Sequence, residues 1–298
     1  RGLGADCVAM EISSHALDQD RVAGVRFHTA AFTNLTRDHL DYHATFEAYR
    51  DAKLRLFTEV VKGGGVAVID ADGEGAGDFI AAARTRGLRL ITVGEKGETL
   101  RLIAREAHLD GQVLTVAQGG IRHVVRLPLA GAFQAENALV AAGIAIGLGE
   151  DASQVFSALG ALKGAKGRLE HVATSKAGAP IFVDYAHTPD ALQTVLKTLR
   201  PHVQGKLAVV FGCGGDRDPG KRPMMGEIAA QLADRVVITD DNPRSEDPAA
   251  IRKQILAAAP NAQEIGDRAQ AIREAVSMLK AGDALMIAGK GHETGQII

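Results

Sequence analysis

The sequence has few of the features that mark secreted or nucleic-acid-binding proteins. It contains two cysteines, Cys7 and Cys213. Both lie in apolar runs, which predicts small buried side chains in a reducing compartment. Lys and Arg number 34 against 36 Asp and Glu, and the net charge is −2. This balance gives no electrostatic reason to expect nucleic acid or an anionic membrane as a partner.

Long apolar runs and repeats are also missing. No run could span a bilayer, and no signal peptide, solenoid-length repeat or low-complexity tract is recognisable. Hydrophobic residues nevertheless make up 46% of 298 residues, enough for one very large domain or two ordinary ones. We therefore expect a soluble cytoplasmic protein. The chain opens mid-pattern at Arg1 and stops at Ile298, a few residues after a glycine motif, so we expect both ends to be truncated.

The first half alternates strand-like and helical patterns, which predicts a parallel α/β sheet. Strand-like apolar runs occupy residues 5–12, 27–35, 64–72 and 88–94. Helical periodicity occupies residues 46–61, 74–86, 133–148 and 151–160. Between 99 and 128 the period falls to two, with turn signals at Asp110-Gly111 and Gly119-Gly120. That pattern predicts an antiparallel annex on the first sheet.

The second half repeats the alternation after a glycine- and lysine-rich stretch at 162–168, which we interpret as a linker. Predicted strands are 169–175, 180–187, 207–213, 235–240 and 283–289. Predicted helices are 189–200, 221–233, 248–259 and 267–280. Apolar strands that run directly into polar loops indicate a second parallel, doubly wound sheet. The sequence thus predicts two α/β domains, 1–163 and 164–298.

The segment after strand 27–35 is dense in side chains that bind metals or protons. It contains Asn34, Arg37, Asp38, His39, Asp41 and His43. Ligand sites in such folds lie at the carboxyl ends of strands. Glu11, at the end of the first predicted strand, could ligate a hard divalent cation together with His39.

Lys53, on the helix that follows, repels a cation unless carbon dioxide has converted its amine to a carbamate. That reaction needs an amine pKa well below the roughly 10.4 of free lysine. The alternative is that Lys53 pairs with Asp38 or Asp41 and that the histidines are capping or surface groups.

Residues 215–221, GDRDPGK, match the G-x-x-x-x-G-K pattern of a phosphate-binding loop. Arg222 stands where a hydroxyl should meet magnesium, however, and Pro219 removes a backbone donor. We therefore predict that this is not a phosphate loop, although Arg217 suits a carboxylate ligand.

Two further strand ends carry charged groups. In residues 240–248, Asn242-Pro243 predicts a turn that presents Arg244, or simply a turn with Ser245 and Asp247 as helix caps. The glycine-rich residues 289–293 lead to Glu293. Two arginines and one acid at three strand ends are what a zwitterionic amino acid needs.

Motifs over nearly the whole chain resemble the Mur ligases of bacterial peptidoglycan synthesis, in particular those that add the third peptide residue. The matching stretches, in family order, are MEISSH with Gln19 and Arg21, TNLTRDHLDYH with AYRDAK, GAFQAENALVAAG, GRLE, VDYAHTPDAL, GCGGDRDPGKRPMMG, DDNPRSEDP and GKGHE. The resemblance implies a P-loop-NTPase-like central domain that binds ATP and a Rossmann-like C-terminal domain that binds the incoming amino acid.

The resemblance also implies a role for each matching residue. Lys53 stands at a carbamylated position, and Glu11 and His39 join it at magnesium positions. Contacts to UDP-MurNAc-dipeptide are implied for Ser13, Gln19 and Arg21. Nucleotide contacts are implied for Asn137, Arg168, Asp184 and His187. The implied amino-acid pocket comprises Arg217, Asp241, Asn242, Pro243, Arg244, Gly289 and Glu293.

The implied reaction is an ATP-dependent carboxylate–amine ligation through an acyl phosphate. The substrates would be UDP-MurNAc-L-Ala-D-Glu and an amino acid. We predict meso-diaminopimelate rather than lysine, because Arg244 can grip its extra carboxylate in a bidentate manner. The sequence predicts no nucleic-acid or membrane partner.

Two departures from the family pattern qualify this prediction. The family's N-terminal domain and its G-T-x-G-K-[ST] loop are not in the sequence, so we expect the chain alone to be inactive. Gln134 replaces the usual asparagine of G-x-F-N. The alternatives are a lysine-adding Mur ligase, a folylpolyglutamate-synthetase-like ligase, a metal-dependent hydrolase that uses residues 38–43, and a non-catalytic amino-acid-binding module.

Overall fold

The computed structural model describes residues 6–35, 42–291 and 293. The chain forms two compact units, each of which is described by itself. Unit 1 comprises the chain up to Ala104, Leu114–Val125 and Ala135–Leu159, and unit 2 comprises Arg105–Val113, Arg126–Gln134 and the chain from Gly160 onward. None of the helices in the described ranges combines the length and the apolar character that a membrane crossing needs.

In the part of the chain that the structure describes, the first sheet has six strands in sequence order. They are β1 (Phe27–Phe32), β2 (Val61–Asp70), β3 (Arg89–Gly94), β4 (Leu100–His108), β5 (Gly111–Gln118) and β6 (Ile121–Leu127). Strands β1 to β4 pair in parallel. Two-residue turns join β4 to β5 and β5 to β6. A turn that short connects antiparallel neighbours, which confirms the predicted annex.

Helices cover both faces of this sheet. They are α1 (Ser14–Asp18), α2 (Phe46–Arg55) with a π-helical turn (Leu56–Val60), α3 (Ala76–Thr85), α4 (Ala132–Leu148) and α5 (Ala152–Leu159). On one face, Phe79 of α3 stacks on Phe32 with ring centroids 3.8 Å apart. On the other face α4 lies very close to β2, because a Cβ added to Gly143 would lie 2.7 Å from Val68 Cγ1. The glycine therefore permits the helix–sheet approach.

The second sheet also has six strands, ordered β11-β10-β9-β12-β8-β7. They are β7 (Glu170–Thr174), β8 (Pro180–Asp184), β9 (Leu207–Phe211), β10 (Arg235–Ile238), β11 (Gln263–Glu264) and β12 (Ala284–Ala288). Among the described strands of this sheet, only β7, paired with β8, runs antiparallel. The helices are α6 (Pro189–Leu199), a 3₁₀ turn (Arg200–His202), α7 (Lys221–Leu232), α8 (Pro248–Leu256) and α9 (Arg268–Ser277).

This sheet is doubly wound, as predicted. Alternate strand residues face opposite cores, with Val209 packed among residues of α6, α7 and α8 and Val210 packed against α9. The chain passes β12 on its way from β8 to β9 and returns to β12 from β11. The strand order therefore reverses around β12, and the loops after β8, β9 and β12 flank the crevice where such sheets bind ligands.

One predicted strand is wrong. The sequence predicts a strand over 5–12, but its described part, residues 6–12, is not in a strand, and Val8 and Met10 are 72% and 55% exposed. A strand needs a hydrogen-bonded neighbour, and within the described chain β1 pairs only with β2, so apolar composition alone does not order this segment. Glu11 therefore does not end a strand. Cys7 is exposed rather than buried, whereas Cys213 is buried as predicted.

Candidate active site

The residues predicted to contact the UDP-linked dipeptide lie around α1 in unit 1. Ser13 begins the helix, and its Oγ accepts a hydrogen bond from the Ala16 amide at 3.2 Å. At the other end, Gln19 Oε1 accepts from Arg21 Nη2 at 2.6 Å. Gln19 Nε2 donates to Tyr42 Oη at 3.0 Å. These exposed groups form a polar surface; sequence analysis did not assign Tyr42 to it.

Lys53 lies in the last turn of α2. Its Nζ is 3.4 Å from the Asn34 carbonyl oxygen and 5.0 Å from the centroid of the Tyr49 ring. A carbonyl dipole and an aromatic face both stabilise an ammonium. These are the contacts of the unmodified amine.

The other members of the predicted metal set are only partly described. Glu11 is exposed, whereas His39, Asp38 and Asp41 lie outside the described residues. Within the described ranges no group of three or more His, Cys, Asp or Glu side chains is arranged to hold a metal. Of the described members of the predicted set, the Glu11 carboxylate is a hard oxygen donor that suits magnesium. Lys53 could join it as a ligand only as a carbamate.

His43, the last residue of the histidine-rich motif, has a structural contact. It is buried, and its Nε2 lies 2.9 Å from Ser14 Oγ. Its ring centroid is 5.3 Å from that of His15 and 5.5 Å from that of Tyr49. The side chain thus connects the segment before α2 to α1.

The four predicted nucleotide residues are divided between the units. Asn137 is exposed on α4 in unit 1. Asp184 ends β8 in unit 2 and is buried, and its two oxygens accept from the Leu169 and Ala186 amides at 2.7 Å each. This carboxylate therefore joins the loop before β7 to the end of β8, so its first role is to position both segments.

Arg168 and His187 flank Tyr185, which sequence analysis did not select. The Arg168 guanidinium carbon is 5.6 Å from the Tyr185 ring centroid. The Tyr185 and His187 ring centroids are 4.6 Å apart. Arg168 and His187 are exposed. A cation beside two stacking rings suits an anionic ligand that carries an aromatic base.

Gly289, after β12, is a predicted amino-acid residue at which several strand ends meet. Its φ is +97°, and an added Cβ would lie 3.7 Å from Asp241 Oδ2, 3.9 Å from the Gly212 carbonyl oxygen and 4.0 Å from that of Ala186. Four strand ends, those of β8, β9, β10 and β12, therefore meet at this glycine. Glycine is favoured because few other residues adopt this φ.

Lys290 lies among three residues of the predicted amino-acid pocket. Its Nζ lies 3.3 Å from Asp241 Oδ1, 3.2 Å from Asn242 Oδ1 and 3.4 Å from Glu293 Oε2. Asp241 and Asn242 are both buried. Sequence analysis did not select Lys290, although a lysine between two glycines at a strand end was the available signal.

Arg244 has the left-handed φ of +53° and follows Pro243, which is buried. Its Nη1 donates to the carbonyl oxygens of Gly215 at 2.7 Å and Asn242 at 3.3 Å. Nε and Nη2 form no hydrogen bond with the described residues, which leaves one edge of the guanidinium for a carboxylate. Arg217 is exposed and forms no hydrogen bond or ion pair with any described residue.

The loop 215–221 is not a phosphate cradle. The amides of Gly215, Asp216 and Gly220 donate to the Asn242 carbonyl, Glu246 Oε1 and Asp218 Oδ1 at 2.9, 2.7 and 2.8 Å. Those amides are the groups that would otherwise hold phosphate oxygens. On the neighbouring loop Asp247 caps α8, whereas Ser245 bonds to Asp216 instead.

Arg268, at the start of α9, adds a buried positive charge beneath these strand ends. Its Nη2 donates to the Ala288 carbonyl oxygen at 2.7 Å, and its Nη1 lies 3.4 Å from that of Asp240. Burial lowers the pKa of Arg268, while the charges of Asp241 and Glu293 oppose that shift. No periodicity or motif pointed to this residue.

Comparison with known proteins shows which protein family has domains of this kind. The Mur ligase middle domain model matches residues 2–145, and the model for the Mur ligase glutamate ligase domain matches residues 167–291. A UDP-N-acetylmuramoyl-L-alanyl-D-glutamate–2,6-diaminopimelate ligase of Caulobacter vibrioides is 57% identical over 296 residues, 99% of this chain and 61% of the relative. Its namesake in Bradyrhizobium diazoefficiens is 60% identical over 301 residues, with the same coverage of 99% and 61%.

A solved structure with the same enzyme name has a TM-score of 0.81 and 39% identity, and the match covers 100% of this chain and 62% of that one. The chain thus spans about 61% of the length of the curated relatives it matches. The two family models together cover most of the sequence, one on each side of residues 146–166. The chain therefore belongs to the Mur ligase family and carries its middle domain and its glutamate ligase domain.

Proposed function

We propose that the chain is part of an ATP-dependent carboxylate–amine ligase that adds meso-diaminopimelate to UDP-MurNAc-L-Ala-D-Glu in peptidoglycan precursor synthesis. The open edge of Arg244 beside buried Asp241 and Asn242 carries this proposal. The names of relatives that are 57% and 60% identical support it. They also favour it over a lysine-adding or folylpolyglutamate-synthetase-like ligase. Its dependence on ATP fits a cytoplasmic location.

The amino-acid pocket would discriminate by charge. Diaminopimelate differs from lysine by one carboxylate at the far end of the side chain, and Nε and Nη2 of Arg244 can bind it side-on. With lysine, Nε and Nη2 of Arg244 would be desolvated without a hydrogen-bond acceptor, which is costly. Arg217, Gly289 and Glu293 would bound the rest of the pocket.

The ammonium groups of the amino acid meet a site that already holds a cation. Lys290 lies between Asp241, Asn242 and Glu293. Its single positive charge offsets one of the two negative charges of Asp241 and Glu293, so their net attraction for a second ammonium is reduced. We propose that the substrate ammonium lies beside Asp241 and Asn242, with Lys290 still in place.

We propose that the other two sites serve the nucleotide and the dipeptide. In unit 2, Arg168 and His187 would contact ATP while Asp184 holds their loops in place. In unit 1, Asn137 would contact the nucleotide, and Ser13, Gln19 and Arg21 would bind UDP-MurNAc-dipeptide. The exposed hydrogen-bond donors of Gln19 and Arg21 support the second assignment, because both can meet carboxylate or diphosphate oxygens.

The reaction brings two anions together. The γ-carboxylate of D-Glu attacks the γ-phosphate of ATP and ADP leaves, after which the amine attacks the acyl carbon and phosphate leaves. Cationic side chains such as Arg168 would offset the repulsion. We propose that Glu11, His39 and Lys53 hold Mg²⁺, with Lys53 as a carbamate formed from its amine and carbon dioxide with loss of a proton. When bound, this ion would neutralise charge on the reacting oxygens.

Substrate preference in the complete gene product tests the proposal. We expect the unmodified protein to prefer diaminopimelate over lysine by ~10⁴-fold in kcat/KM, because a site built for a polar group rejects the analogue that lacks it. Arg244→Ala should collapse that ratio, whereas Arg217→Ala should weaken binding without switching preference. Comparable rates with both amino acids in the unmodified protein would contradict the assignment. Binding of diaminopimelate without ligation would instead indicate a non-catalytic module.

A further inference from the structure

Two loops at the amino-acid pocket are joined by an arginine that does not reach the solvent. Arg222, in the first turn of α7, is 1% exposed. Its Nη1 and Nη2 donate to Glu246 Oε2 and Oε1 at 2.9 and 2.8 Å, and Nη1 also donates to Gln254 Oε1 at 2.9 Å. This is a bidentate, charge-assisted pair between the loop after β9 and the loop after β10.

A second carboxylate extends the connection outward. Glu246 Oε1 also accepts from the Asp216 amide at 2.7 Å, and Asp216 Oδ1 accepts from Ser245 Oγ at 2.6 Å. Glu246, on the loop after β10, therefore accepts a hydrogen bond from the loop after β9, and Asp216, on the loop after β9, accepts one from the loop after β10. The Arg222 guanidinium lowers the pKa of Glu246, and the hydrogen bond from Ser245 lowers the pKa of Asp216. We call Arg222, Glu246, Asp216 and Ser245 the loop clamp.

The loop clamp reaches Arg244 through two consecutive carbonyl groups. Arg222 Nη2 donates to the Gly214 carbonyl oxygen at 3.3 Å, and Arg244 Nη1 donates to that of Gly215 at 2.7 Å. The loops touch here, because a Cβ added to Gly215 would lie 1.8 Å from the Pro243 carbonyl oxygen. A displacement of the first loop would therefore move the acceptor that orients Arg244.

We propose that the loop clamp positions Arg244 and thereby sets the preference for an amino acid with a second carboxylate. The inference rests on the proposed function. Arg222 itself would not touch the substrate and is a positioning residue. Residues 215–221 depart from the phosphate-loop pattern because Arg222 stands where that pattern needs a hydroxyl. In the proposed role, Arg222 holds the loops of the amino-acid pocket.

Arg222→Lys in the complete gene product tests this role. Lysine keeps the charge but cannot form the two parallel hydrogen bonds to Glu246. We expect the KM for diaminopimelate to rise about tenfold and the diaminopimelate-to-lysine ratio of kcat/KM to fall at least about tenfold, since misplacements near 1 Å cost on this scale or more. The KM for ATP should stay within about twofold, which a general loss of structure would not produce.

Arg200→Lys is the matched control. Arg200 lies in the same unit and donates to Asp234 Oδ2 at 2.7 Å and to the carbonyl oxygens of Val203 and Gly205 at 2.9 and 2.8 Å. It contacts the segments that precede β9 and β10, at the ends opposite the pocket. This variant loses a comparable arginine network, so it should lower thermal stability and leave the amino-acid ratio unchanged.

Ser245→Ala covers the case in which Arg222→Lys does not fold. Ser245 is exposed, and its loss opens the outer half of the loop clamp, so we expect the ratio to fall about threefold, the smaller effect of one hydrogen bond. If Arg222→Lys folds and keeps the parental diaminopimelate-to-lysine ratio of kcat/KM, the positioning role is wrong. If Arg222→Lys is unfolded, an unchanged ratio in Ser245→Ala would also overturn it. If the unmodified protein ligates neither amino acid, the proposed function fails instead.

Discussion

At the residue scale, the proposed role of Lys53 requires that its amine be converted to a carbamate. We expect Lys53→Ala to nearly abolish ligation by the complete gene product, because the carbamate oxygens that would hold Mg²⁺ are lost. Turnover with saturating ATP measures this. Added bicarbonate should not restore activity, whereas short carboxylates should restore part of it.

Lys62→Ala is the control for the loss of a lysine, since Lys62 is exposed on β2. Its turnover should match that of the unmodified protein. Near-normal turnover of Lys53→Ala would mean that Lys53 makes only its amine contacts with Asn34 and Tyr49. Such exposed interactions contribute roughly 0–1 kcal/mol.

At the scale of elements, the loops after β9 and β10 should be sensitive to acid. The pKa values of Asp216 and Glu246 are lowered by Ser245 and Arg222. A lowered pKa contributes stability that is complete above the unfolded-state value, roughly 4 for these groups. The contribution is lost as the pH falls through the folded-state pKa.

We therefore expect Glu246→Gln to flatten the acid side of the stability profile. The thermal midpoint, followed by circular dichroism from about pH 6 to 3, should fall more steeply in the unmodified protein than in this variant, because glutamine does not titrate. Glu227→Gln, an exposed position on α7, should keep the parental slope. Parallel profiles for the unmodified protein and Glu246→Gln would argue against acid loss of this pair.

At the scale of the whole molecule, each sheet has central strands and edge strands. Strands β2 and β3 lie inside the first sheet, and β9 and β12 lie at the centre of the second. In contrast, β7 is exposed along most of its length, and β11 is a two-residue exposed edge. Protection from exchange follows burial and hydrogen bonding.

Hydrogen exchange followed by mass spectrometry should rank the strands accordingly. Peptides from β2, β3, β9 and β12 should exchange slowest, because their amides open only with the core. Peptides that contain β7 or β11 should exchange fastest among the strands. Equal exchange in β7 and β9 would contradict the observed strand order.

Most of the fold could be predicted from local patterns. Period-two alternation and glycine turns located β4 to β6, and buried apolar runs located β9 and β12. Motifs at strand ends also located Arg244 and Gly289, because the backbone that presents them is encoded locally by Asn-Pro and glycine. The prediction of a strand over 5–12 was wrong because apolar composition does not reveal whether a neighbouring strand is present to pair with these residues.

The sequence by itself determined the periodicity, the turns and the family. Only the tertiary structure decided which side chains meet. Arg222 forms a hydrogen bond with Glu246, 24 residues away in the sequence, and Lys290 forms one with Asn242, 48 residues away. Those pairs exist because the strand order brings the ends of β9, β10 and β12 to one edge of the sheet. Hydrogen bonds between loops depend on this packing, and no local pattern in the chain encodes it.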